Sequence, residues 1–138
     1  MEATKITIHA TISAGIQKVW NYYTQPEHIT KWNFASPDWH CPSASNDMRI
    51  GGKYTARMEA KDGSFGFEFE ATYSEITENQ KFVYIMPDGR EVSVSINEDN
   101  HLTNITVCFD AETENSVELQ REGWQAILNN FKNYVENN

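Results

Sequence analysis

Two runs of alternating apolar and polar side chains meet at Asp62-Gly63, and no other feature of the chain constrains its fold as strongly. Before the turn, Tyr54, Ala56, Met58 and Ala60 alternate with Lys53, Thr55, Arg57, Glu59 and Lys61. After it, Phe65, Phe67, Phe69, Ala71 and Tyr73 alternate with Glu68, Glu70, Thr72 and Ser74. Period two marks strands with one buried face, and Asp-Gly between such runs is a strong hairpin signal because Gly accepts the positive φ of a tight turn. With Asp62-Gly63 as the loop, Ala60 meets Phe65, Met58 meets Phe67, Ala56 meets Phe69 and Tyr54 meets Ala71. On the other face Arg57 meets Glu68, a pair worth a few tenths of a kcal/mol. A slip of one residue destroys both matches. The hairpin, which extends from Gly51 to Ile76, therefore presents an aromatic-rich face that another element must cover.

The rest of the chain supplies further strands and a cover. Ile6, Ile8, Ala10 and Ile12 alternate with polar residues and read as a first strand. Ser13 offers a cap oxygen to a helix carrying Ile16, Val19, Trp20 and Tyr23 on one side. Pro26 opens a second short helix at the position where its missing N–H costs nothing, with Ile29 and Trp32 as the buried side. Residues 36–47, rich in Ser, Asn and Pro, read as the longest loop. A second hairpin flanks Pro87-Asp88-Gly89-Arg90, and its register is open. A two-residue loop pairs Ile85 with Val92 and Val83 with Val94; a three-residue loop pairs Tyr84 with Val92 and Phe82 with Val94. Residues 97–101 read as a polar turn, and 102–110 as a strand with Ile105, Val107 and Phe109 on one side.

From Ser116 to Val135 the period becomes 3.6. Val117, Gln120, Trp124, Leu128, Phe131 and Val135 form a stripe that Ile127 and Tyr134 widen. Asn115 or Ser116 caps the start, with Glu118 near the positive end of the helix dipole. Gly123 in mid-helix costs about 1 kcal/mol relative to Ala. It reads either as a site of close helix–sheet packing or as room left for a ligand or a moving helix. The order of elements is that of an α+β architecture. One long helix covers a twisted antiparallel sheet, a geometry that leaves a groove between them.

A chain of 138 residues is the size of one domain, residues 1–138, and buries roughly 70% of its unfolded surface without disulfide or metal. Eleven basic against twenty acidic residues give a formal charge of −9, which argues against nucleic acid and anionic membranes as partners. No run approaches the ~20 apolar residues of a membrane-spanning helix. Met1-Glu2-Ala3-Thr4-Lys5 leads straight into the first strand without a signal-peptide core, so the expected location is the cytoplasm, with Cys41 and Cys108 reduced. Cys108 reads as a small core residue, and Cys41 as a loop residue.

The usual signatures of catalysis and metal binding are missing. Gly51-Gly52 leads into a strand, unlike a phosphate-binding loop, and there is no Gly-x-Ser-x-Gly elbow. His9, His28, His40 and His101 are scattered without metal spacing, so no metal and no cofactor are expected. His40, with Asp38, is the one acid–base candidate, since imidazole titrates near neutral pH. The plainer reading is that Trp39-His40-Cys41 plugs the open end of the sheet. Cys41 as a nucleophile requires a base beside it. Glu59, Glu68 and Glu70 fall on the face opposite the aromatics and read as a solvated face balanced by Arg57 and Lys61.

Several blocks resemble a known family. They are Val19-Trp20 with Pro26-Glu27 and Lys31-Trp32; Ile50-Gly51-Gly52-Lys53-Tyr54; Asp62-Gly63 with Tyr73-Ser74-Glu75-Ile76; and Gly123-Trp124. In this order they resemble the helix-grip superfamily (START, Bet v 1, polyketide-cyclase-like; SRPBCC). Within it the chain is similar to the family built on the C-terminal domain of the activator of Hsp90 ATPase homologue 1. Ala35 to Pro42, with Asn46-Asp47, is similar to a bacterial stand-alone branch that lacks the additional domain of the eukaryotic Hsp90 activators. The resemblance implies a helix-grip fold: a curved sheet of about six to seven antiparallel strands wrapped around a long C-terminal helix, with two short helices after the first strand. It also implies a cavity between that helix and the sheet for a hydrophobic or aromatic small molecule. The expected lining is Trp32, Tyr54, Met58, Phe67, Phe69, Tyr84, Trp124 and Leu128. The alternatives it leaves open are a chaperone-associated interaction module, in keeping with a stress response, and a cyclase- or hydrolase-like enzyme using His40. The plainer reading of the aromatics is ordinary core, and both monomer and homodimer remain open.

Overall fold

A computed structural model describes residues 4–138. The lead into the first strand proposed for Met1, Glu2 and Ala3 lies outside the described residues. In chain order the elements are β1 (Lys5–Ile12), α1 (Ile16–Thr24), α2 (Pro26–Trp32), β2 (Trp39–Asn46), β3 (Lys53–Ala60), β4 (Gly66–Thr77), β5 (Lys81–Ile85), β6 (Glu91–Asp99), β7 (Leu102–Asp110) and α3 (Val117–Asn137). The strands form one seven-stranded sheet in the order β1-β7-β6-β5-β4-β3-β2. All the pairs are antiparallel. From β2 to β7 each strand lies beside the next in sequence. The α1–α2 pair is therefore the link that carries the chain from one edge strand to the other. The sheet curls into a half-barrel around α3, an α+β helix-grip arrangement.

The opening hairpin has the register that the side-chain pattern demands. Met58 pairs with Phe67, Ala56 with Phe69, Tyr54 with Ala71 and Arg57 with Glu68, while the Ala60 N–H donates to the Phe65 carbonyl at 2.9 Å. Two details differ. The Arg57 guanidinium bonds Glu59 on its own strand at 2.8 Å, not Glu68 opposite. It lies across Gly66, where an added Cβ would stand 2.6 Å from Nη2. A bulge between Tyr73 and Glu75 also inserts an extra residue into β4. Tyr73 and Ile76, three apart, consequently both pack against the core, which strict alternation forbids.

The second hairpin takes the three-residue loop, with Tyr84 opposite Val92 and Phe82 opposite Val94. Gly89 has φ +94°, as the third residue of such a loop requires. Burial decides between the two registers: Phe82 and Tyr84 are buried on the core side while Ile85 is exposed.

Two further expectations are corrected. The presumed loop at 36–47 contains β2, an edge strand. Its signal was hidden by its polar composition and by Pro42, which has no N–H to donate; proline is tolerated in sheets only at edges and bulges. A bulge between His40 and Ser43 accommodates it and turns Cys41 inward, where it is 3% exposed. Ser13 does not cap α1. Gly15 occupies the cap position with no side-chain bond, and the Ile16 N–H donates to Glu98 Oε1 at 2.7 Å. A long-range carboxylate thus replaces the expected local cap. The polar turn is shorter than expected, because β6 runs on to Asp99 and Asn100 and His101 alone take positive φ.

On α3, Ser116 Oγ accepts from the Leu119 N–H at 3.1 Å, and Leu128, Phe131 and Val135 are buried. The helix backbone approaches β1 closely and stands off β3, β4 and β5. Large side chains bridge that gap incompletely. Among the described residues no helix is long and apolar enough to cross a membrane.

Candidate functional site: an aromatic cavity under the last helix

The space between α3 and the sheet holds a cavity of about 160 Å³. Its floor comes from the inward positions of five strands: Ile8, Tyr54, Met58, Phe67, Phe69, Tyr73, Phe82, Tyr84 and Val107. Trp124, Ile127 and Leu128 form the roof, and Tyr23, Trp32 and Asn33 close one end. Among the described residues no charged side chain lines it.

The walls are held by ring packing. Tyr54 and Tyr84, on different strands, stack with centroids 5.6 Å apart, and Phe69 meets Tyr84 edge-on at 5.8 Å. Trp124 stacks on Phe109 at 3.9 Å, which pins the start of α3 to β7. Phe131 locks the closed end, meeting Tyr23 and Trp32 edge-on at 4.9 Å each. Such pairs each contribute about 0.5–1.5 kcal/mol beyond burial. The cavity opens where the wall thins. Phe67 is 43% exposed, and with Phe69 and Trp124 it also borders an outer groove shared with Met86, Pro87, Asp88 and Arg90. Beyond it, Phe65 is 61% exposed and meets Trp39 edge-on at 6.0 Å.

The polar groups of the wall are phenols and one amide. Burial raises the pKa of Tyr23, Tyr54, Tyr73 and Tyr84, because an ionised phenolate loses its hydration there. They are neutral at physiological pH. Tyr73 donates to Asn46 Oδ1 at 2.7 Å, and Asn33 Nδ2 donates to the Tyr54 oxygen at 3.3 Å.

The structure brings Trp32, Tyr54, Met58, Phe67, Phe69, Tyr84, Trp124 and Leu128 together around this cavity. Seven further lining residues, Ile8, Tyr23, Asn33, Tyr73, Phe82, Val107 and Ile127, are not among those expected from the sequence. Tyr73 and Phe82 carry a usable signal, lying on the same strand faces as Phe69 and Tyr84. Asn33 carries none, since it follows α2 and is positioned by tertiary packing alone.

The chemistry-bearing residues lie elsewhere. His40 pairs across the sheet with Glu59, with Nε2 3.7 Å from Oε1, on the face opposite Met58. Asp38 is exposed and engages Lys61 through its backbone carbonyl at 2.8 Å. Neither lines the cavity, so an acid–base role on a cavity-bound molecule lacks its geometry. The Cys41 thiol donates to the Ser43 carbonyl at 3.4 Å, and burial raises its pKa, the opposite of an activated nucleophile. Glu68 and Glu70 border the outer groove, while Glu59 is engaged with Arg57. Among the described residues no group of three His, Cys, Asp or Glu side chains could hold a metal ion.

Gly123 does not mark close packing. An added Cβ would meet no atom within 4 Å, and Ile127, one turn on, lines the cavity. Gly123→Ala is therefore expected to raise stability by about 0.5–1 kcal/mol through helix propensity alone. A urea melt showing a loss instead would mean that the space is needed.

The family described as activator of Hsp90 ATPase homolog 1-like protein matches residues 13–136. Among solved structures, the AHSA1-like protein from Aeromonas hydrophila superposes with a TM-score of 0.91 at 41% identity, covering 97% of this chain and 93% of that one. A protein from Cytophaga hutchinsonii superposes with a TM-score of 0.83 at 48% identity, covering 96% and 92%. One from Nitrosomonas europaea, at 18% identity and a TM-score of 0.82, shares the fold and covers 96% and 94%. No curated protein matches the chain.

Proposed function

We propose that this chain, which belongs to the activator of Hsp90 ATPase homologue 1-like family, is a single domain that binds a small hydrophobic or aromatic molecule between α3 and the sheet without transforming it. The observation that carries this reading is an uncharged cavity of about 160 Å³ roofed by the one long helix. Protein interiors leave few voids larger than a water molecule. At the dependence of stability on cavity volume seen in core truncations, an empty space of this size costs about 4 kcal/mol, against a typical total of about 5–15 kcal/mol. Longer side chains at Ile8 or Val107 would remove that cost. Retaining the space is what a binding protein needs.

The test is methyl NMR on labelled protein titrated with single-ring hydrophobes such as toluene. The expected result is saturable shifts at Ile8, Met58, Val107, Ile127 and Leu128. Ile127→Trp, which places an indole at the roof, is expected to abolish them while the chain stays folded. Shifts in no cavity methyl of the wild type, across a panel of ring compounds, reject the reading.

A second reading rests on a different observation, the exposed Phe65 and Phe67 near the hairpin tip, which cluster with the half-buried Trp39 of β2. Solvated apolar patches mark contact surfaces, and the family's description names an Hsp90 activator. On this reading the tip contacts an Hsp90-type chaperone. The ATPase rate of such a chaperone, measured with and without the chain, decides it: an unchanged rate at saturating protein rejects the chaperone role.

A further inference from the structure

Three phenol protons in the cavity wall have no acceptor. Tyr73 uses its proton on Asn46. The Tyr54 oxygen receives a bond from Asn33, which leaves its own proton unused. The Tyr23 and Tyr84 hydroxyls have no hydrogen-bond partner among the described residues, although Tyr84 is only 7% exposed.

The unpaired Tyr23 and Tyr84 hydroxyls are not sealed in. Among the described residues the single side-chain N or O atom both sealed off and unpaired is Asn79 Oδ1, which does not line the cavity. Tyr54 and Tyr84 are buried and Tyr23 half-buried, and all three line the cavity, which is the space their hydroxyls share. Native interiors pair almost every buried donor, and here the lining offers no charged group of either sign among the described residues. Burial raises the pKa of Tyr23, Tyr54 and Tyr84, so all stay protonated as donors.

Resting on the cavity being a binding site, we propose that its guest is an uncharged single-ring molecule bearing an oxygen acceptor, with Tyr23, Tyr54 and Tyr84 donating to that oxygen. Size sets the first condition, since an apolar cavity of about 150 Å³ takes up benzene and this one measures about 160 Å³. Donor surplus sets the second, because a guest with no acceptor leaves the phenols unpaired. Desolvation sets the third. A carboxylate would enter without a counter-charge, which buried ions do not tolerate. A ketone, ester or ether oxygen on a six-membered ring meets all three conditions; the competing occupant is ordered water.

The experiment compares cyclohexanone with methylenecyclohexane, which has CH2 in place of the oxygen, and with cyclohexanecarboxylate, in wild type and in the double variant Tyr23→Phe with Tyr84→Phe. Dissociation constants come from methyl NMR. The double variant is expected to weaken cyclohexanone about tenfold, equivalent to 1.4 kcal/mol, while methylenecyclohexane binds it as well as or better than wild type. Cyclohexanecarboxylate at neutral pH is expected to shift no cavity methyl. Equal weakening of ketone and hydrocarbon, or a carboxylate that binds more tightly than the ketone, overturns the assignment and leaves the cavity reading standing. If none of the three moves a cavity methyl in wild type while toluene does, the assignment alone falls; if toluene and the other ring compounds move none either, both fall. Tyr84→Phe alone is expected to melt at or above the wild-type temperature without ligand, because it deletes an unpaired hydroxyl; a fall means that the hydroxyl is already bonded within the protein.

Discussion

Phe131→Ala is expected to cost about 4 kcal/mol, a large share of the stability of a domain this size. The ring is 0% exposed and meets both Tyr23 and Trp32 edge-on at 4.9 Å. Its removal loses the transfer energy of a whole benzyl group and two aromatic contacts, and it leaves a hole that α3 cannot close. Urea denaturation should show a lower midpoint with an unchanged slope, the signature of lost stability without a change in compactness. Because Tyr23 and Trp32 also wall the cavity, the new hole adjoins the old one. Benzene should therefore restore more stability to the variant than it adds to wild type. A loss below about 1.5 kcal/mol would mean that α3 docks on the sheet in another way.

Gly52→Ala is expected to cost about 3 kcal/mol, for a backbone reason. An added Cβ at Gly52 would collide with the Asp47 carbonyl oxygen and stand 2.9 Å from Asp47 Cγ. These neighbours cannot retreat. The Asp47 N–H is tied to the Lys53 carbonyl at 3.0 Å, and the Gly52 carbonyl accepts from the Tyr73 N–H at 3.0 Å. Relief of the clash must break the pairing that sets where Tyr73 and Tyr54 enter the cavity. The variant should therefore show a lower melting temperature together with backbone amide shifts at both tyrosines. A melting temperature within two degrees of wild type would show that the 47–52 turn moves freely.

How far the fold is legible depends on whether local rules have competitors. At the opening hairpin, alternation, the Asp-Gly turn and the cross-strand matches all point to one register, and the structure has it. At the second hairpin two registers both match apolar with apolar. The choice requires knowing which face Phe82 and Tyr84 cover, which is tertiary information. β2 is hidden because an edge strand with one partner needs no apolar alternation, and because Pro42 reads as a breaker until the bulge at residues 40–43 is seen. The cap of α1 escapes local rules because Glu98, 82 residues away, performs the task of a local side chain.

For the site the same division holds. Strand alternation and the helical stripe are enough to place Tyr54, Met58, Phe69, Trp124 and Leu128 on facing surfaces. They do not determine whether those surfaces close on each other. That depends on α3 lying near β1 while standing off the central strands. Side-chain identity encodes which face is buried, since the preference of an apolar group for leaving water is local and additive. Unfilled volume is a difference between the space enclosed by the backbone and the space the side chains occupy. Only the tertiary structure sets the first of these, and so only it could reveal a cavity with phenol protons left unpaired.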